Sequence, residues 1–126
     1  MILLSDTQKY IKTLKLADMV YIGRIDADKS NVVGIYNREK TTHKVIGNSR
    51  TYDMAALTVL VHGTTSKSAT EKLAQTVYGK LESATGKIGT HKILFFDMLN
   101  DAPVDINQDA NDVYEYVIDF NIYTER

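Results

Sequence analysis

Apolar residues recur along the chain with two periods, and the switches between them lay out the elements. In residues 1–16, Leu3, Tyr10, Ile11 and Leu14 fall at helical spacing, and Ser5 with Gln8 has the S-x-x-Q form of a capping box. This predicts a short amphipathic helix with two starts open: residues 2–4 inside the helix, or residues 2–4 as an apolar staple before a cap at Ser5. Met19-Val-Tyr-Ile-Gly-Arg-Ile25 and Asn31-Val-Val-Gly-Ile-Tyr36 are β-branched and aromatic runs joined by the polar Asp26-Ala-Asp-Lys-Ser30, which predicts a hairpin of two antiparallel strands. Residues 37–44 then hold no large aliphatic side chain, so 38–50 reads as a long basic loop of the kind that carries function.

Residues 51–62 are the strongest central-strand candidate. Leu57, Val59 and Val61 point one way and Met54, Ala56 and Leu60 the other, as if both faces were covered. Residues 63–68 carry turn and capping chemistry. Ala69, Leu73, Val77 and Leu81 follow at four-residue intervals, predicting a longer helix that Gly86 stops. Residues 92–96 read as a strand, and 97–112 as an acidic connection in which Val104 and Ile106 add a short strand. The end alternates cleanly, with Tyr114, Tyr116, Ile118, Phe120 and Ile122 on one face of a final strand. The expected fold class is α+β: a mainly antiparallel sheet with two helices packed on one face. A mixed sheet stays open, because the longer helix can cross between strands 51–62 and 92–96.

Composition narrows the class without changing this picture. At 126 residues a single domain is expected, and 44% hydrophobic with 25% charged residues is the balance of a chain that folds. There is no cysteine, which excludes disulfides, thiolate nucleophiles and cysteine metal sites. A net charge of -1 argues against generic binding to DNA or to anionic membranes. Met-Ile-Leu-Leu at the start is too short for a signal-peptide apolar region, and neither a membrane-spanning stretch nor a lipidation motif is found.

The candidate chemistry is sparse. His43, His62 and His91 lie far apart with no H-x-x-x-H or H-E-x-x-H pattern, so packing or exposure is the better reading and no metal or catalytic site is assigned. No G-x-S-x-G elbow occurs, and Gly79 and Gly86 are seven positions apart where a phosphate loop needs five. Asp105, Asn107 and Asp109 match the first calcium-loop positions, but Ala110 replaces the turn glycine and Tyr116 the bidentate glutamate. No enzyme and no cofactor is indicated. The eight tyrosines suit either a sheet lining or an interface.

Four segments together carry a resemblance: Tyr21-Ile-Gly-Arg-Ile-Asp26, Val33-Gly-Ile-Tyr36, Ala102-Pro-Val-Asp105, and the ending Tyr114-Glu-Tyr-Val-Ile-Asp-Phe-Asn-Ile-Tyr-Thr-Glu-Arg126. In this order and spacing they resemble the phage minor capsid proteins that act as tail terminators in long-tailed phages. The resemblance implies a structural virion protein, a hexameric homo-oligomeric ring that caps the tail tube, meets the head-tail connector protein, and lets double-stranded DNA pass without specific binding. It would be assembled in the host cytoplasm and located at the tail or neck of the virion. Arg38, Lys40, His43, Lys44 and Arg50 are the expected subunit-interface residues, because a ring needs one patch to meet a different patch on the next copy. Asp101, Asp105, Asp109 and Asp112 are the expected DNA-repelling surface, since carboxylate repels phosphate. A head-completion or neck protein, and from another class a small ligand-binding α+β domain, are the alternatives.

Overall fold

The structure, a computed structural model, describes residues 4–16, 19–22, 30–38 and 52–125. In chain order it contains α1 (Leu4–Thr13), β1 (Met19–Ile22), β2 (Val32–Asn37), β3 (Tyr52–His62), α2 (Lys67–Glu82), β4 (Lys87–Ile88), β5 (His91–Met98), β6 (Val104–Gln108) and β7 (Tyr114–Glu125). The sheet runs β1-β2-β3-β7-β5-β4, with β6 also on β7. Every described pairing is antiparallel except β1 with β2. The class is therefore α+β with a mixed sheet.

The long strands β3 and β7 form its centre, pairing from Tyr52↔Glu125 to His62↔Glu115. Directly opposed residues share a face, so Leu57, Val59 and Val61 meet Phe120, Ile118 and Tyr116 on one side. That side is the core. Ile11 and Leu16 from the α1 region and Ala74, Val77 and Leu81 from α2 are buried in the same cluster, which puts both helices on one face. The period-2 pattern of β7 is realised with Thr124 added to the buried row and Tyr114 half-buried at its start.

Three expectations are corrected. First, β1 and β2 are parallel, with Val20↔Val33 and Ile22↔Ile35 in register. The β-branched composition dictates that both runs are strands but not their relative sense. Residues 23–31 can reach roughly 30 Å, well over the ~13 Å length of a four-residue strand, so the chain can return to begin a parallel neighbour. Second, among the described residues helices cover only the core face of β3: Met54, Ala56 and Leu60 on the other face are half-buried.

Third, α2 buries Thr70, Ala74, Val77 and Leu81, while Ala69 is exposed and Leu73 half-buried. A strict four-residue step advances about 40° per repeat around a helix of 3.6 residues per turn, so only a mixture of three- and four-residue steps stays on one face. Of the two starts left open for α1, the structure takes the earlier one: Leu4 is already helical, which places Ser5 in the first turn rather than at the cap. The capping expected before α2 is present, since Ser66 Oγ accepts from the Ala69 amide at 3.3 Å.

Candidate assembly surface

β5 and β6 lie end to end along the same edge of β7. β5 pairs with residues 120–124 and β6 with residues 114–117, and the chain between them leaves the sheet. On its other side β5 is bonded to β4 at Lys92↔Lys87 and through the Ile93 amide to the Gly86 carbonyl at 2.8 Å. Beyond Ile93 that edge meets no strand among the described residues.

The register of β5 slips at Leu94, between Ile93↔Thr124 and Phe95↔Tyr123. The extra residue re-aims the side chains next to it. Ile93 and Phe96 turn into the core, while Leu94 is 46% exposed and Phe95 52%. Leu99, Val104 and Ile106 continue the apolar row along the edge, each exposed. Phe95 also stacks on Tyr123 with ring centroids 4.6 Å apart, and Tyr123 meets Tyr52 at 5.5 Å. An aromatic ladder, on the face that carries no helix among the described residues, thus runs out to an apolar sheet edge that pairs with no described strand beyond Ile93. Monomeric proteins usually blunt such edges with charge, and this one carries five large exposed apolar side chains beside its charged ones.

The residues singled out from sequence are distributed around this surface. Arg38 follows β2, and its side chain is directed onto the sheet, donating to the Phe120 carbonyl at 2.9 Å and to Asn121 Oδ1. Lys40, His43, Lys44 and Arg50 lie outside the described residues. Asp101 is exposed in the connection from β5 to β6, and Asp105 on β6 reaches Lys67 of α2 at 3.5 Å. Asp109 and Asp112 belong to the turn before β7, where the Asp112 amide donates to the Asp109 carbonyl at 3.1 Å. Asp101, Asp105 and Asp112 are exposed.

Asp109 differs. Its Oδ1 accepts from the amides of Asn111 at 2.8 Å and Val113 at 3.0 Å, and its Oδ2 faces His62 Nδ1 at 3.8 Å. The amide of Val113 foremost holds its carboxyl below the ordinary carboxylate value; desolvation, next in size, opposes it, and the Asn111 amide and the His62 ring add to the lowering. His62, at the end of β3, is 2% exposed, and Glu115 across the register comes within 2.9 Å of the same Nδ1. Sequence separation hid this cluster, and the only signal for it was His62 closing a strand that pairs with the acidic start of β7.

A hollow along α2 is lined by Ser68, Glu71, Lys72, Gln75 and Thr76, all on its exposed face. These residues stand in one row on the outside of a helix, an arrangement that suits solvent better than an enclosed ligand. None of the described helices is long and apolar enough to cross a membrane.

Comparison with curated proteins finds no match. A family model described as bacteriophage tail terminator protein matches residues 10–126, a span that takes in every described strand and both helices but for the first turns of α1. The match covers all but nine residues of the chain, and the protein belongs to the bacteriophage tail terminator family.

Proposed function

We propose that this phage tail structural protein closes a hexameric ring on the end of the tail tube and offers its far side to the head-tail connector. The observation that carries the reading is the β5–β6 edge, unpaired beyond Ile93 among the described residues, where Leu94, Phe95, Leu99, Val104 and Ile106 are exposed beside the Tyr52–Tyr123–Phe95 ladder. A head-to-tail contact through such an edge joins one patch to a different patch, the condition for a ring. The basic segment 38–50 is the proposed complementary patch. Asp101, Asp105 and Asp112 are the proposed wall past which DNA slides, with Asp109 behind them.

The size of the apolar row bears on when the ring forms. Covering five half-exposed side chains at about 1 kcal/mol each yields roughly 5 kcal/mol, no more than the entropic cost of association. The edge alone therefore supports weak self-association, and the tube end supplies the remaining contacts. Mixing the purified protein with tail tubes and counting capped ends by negative-stain electron microscopy tests this. The wild type caps ends; Phe95→Lys, which puts a charge on the edge, does so far less while remaining folded by circular dichroism. Equal capping by both proteins would remove the edge from the interface.

A further inference from the structure

Three polar side chains from three segments converge beneath the turn that precedes β7. His62 Nδ1 and one carboxylate oxygen each of Asp109 and Glu115 all lie within 4.8 Å of one another. Asp109 is pre-set for this: two backbone amides occupy Oδ1, which leaves Oδ2 directed at the ring. Glu115 is held in place by the β3–β7 register.

The charges do not balance. Two partly buried carboxylates stand together beside a buried ring, and even a protonated imidazole offsets only one of them. Among the described residues no other cation comes within ion-pair distance of either, and the nearby Lys67 is paired with Asp105. Like charges so placed repel unless a cation is shared between them. Donor atoms around a tetrahedral zinc ion, bound at about 2.0–2.2 Å, stand about 3.3 Å apart. The separations from Nδ1, 2.9 Å to Glu115 and 3.8 Å to Asp109, straddle that spacing, so small side-chain rotations would admit the ion.

We propose that His62, Asp109 and Glu115 form a binding site for one divalent transition-metal ion of the zinc class, with water completing its coordination. One imidazole and two carboxylates suit zinc, whereas calcium and magnesium call for a larger all-oxygen set. His62 Nε2 is buried with no hydrogen-bond partner among the described residues. That holds whichever ring nitrogen carries the proton, so it does not distinguish the metal-bound from the metal-free ring. The ion would fasten the turn at residues 109–113 to the ends of β3 and β7. The site is separate from the apolar edge, and ring formation is not needed for it to bind.

Isothermal titration of Zn2+ into the chelator-treated full chain tests the proposal, with unfolding temperature as a second readout. One ion per chain is expected, with a higher melting temperature and a shift of the His62 ring nitrogens in NMR spectra of the wild type. Glu115→Gln and Asp109→Asn, checked for fold by circular dichroism, should each weaken binding about tenfold or more, while His43→Gln and His91→Gln leave it unchanged. Absence of binding to the folded wild type would overturn the proposal. So would zinc binding that leaves the His62 ring signals in place, or that survives both carboxylate changes.

Discussion

Gly63 and Gly79 make opposite predictions from the same principle. A Cβ on Gly63 would collide with Thr70, which cannot swing aside because its Oγ1 accepts from the Thr64 amide at 3.0 Å and donates to the Ser66 carbonyl at 2.9 Å. Gly63→Ala should therefore cost about 1–3 kcal/mol as an overpacked site, measured by urea unfolding. Gly79 lies inside α2 with open space around it, so Gly79→Ala should stabilise by about 0.5–1 kcal/mol through helix propensity. At Tyr10, burial pushes the phenol above its ordinary value of 10.0, and its hydroxyl donates to the Thr85 carbonyl at 2.6 Å. The folded state thus holds this proton more tightly than the unfolded chain. The advantage of wild type over Tyr10→Phe should be complete below pH 10.0 and disappear as pH rises through the higher folded value. Unfolding both proteins in urea from neutral to alkaline pH would show it, and a difference that does not narrow at all as pH rises above 10.0 would refute the assignment.

At the scale of elements, the edge formed by β5 and β6 carries the clearest prediction. Lys at Leu94 or Ile106 faces solvent in the isolated chain, so Leu94→Lys and Ile106→Lys should change stability by less than about 0.5 kcal/mol. In sedimentation over a concentration series both should lose whatever self-association the wild type shows. Elements whose burial is one-sided were legible from the sequence. The alternation from Tyr116 to Ile122 marks β7 because a two-residue period admits one core face, and the capping chemistry of residues 63–68 marks the approach to α2, whose cap the structure places at Ser66. The sense of β1 against β2 was not legible, since nothing in Val20 or Val33 encodes direction and the connection is long enough for either. The buried stripe of α2 was displaced for a related reason: Thr70, a polar residue, holds a core position by satisfying its hydroxyl locally, where Ala69 and Leu73 are the more apolar choice.

Over the whole molecule, long-range pairing decides which residues meet, and this is where sequence reading reached least far. His62 and Glu115 are 53 positions apart and become neighbours only through the β3–β7 register. Asp109, read as one of four solvent-facing acids, is drawn inward by the turn that also places Val113 in the core. Arg38 was grouped with a basic loop, yet its guanidinium is bonded to β7, which ties the start of that segment to the centre of the sheet. The family assignment, by contrast, was legible, because it rests on the order of strands and turns along nearly the whole chain.

The central claim is that this chain works as a tail terminator by seating its apolar edge in a ring at the tube end. The most direct measurement is electron microscopy of tail tubes growing from tube protein, with and without the chain. The account predicts particles confined to tube ends and tubes that stop lengthening when the chain is added, with Phe95→Lys folded but inactive in both respects. Tubes that continue to grow with bare ends, at concentrations where the protein is folded and in excess, would contradict it.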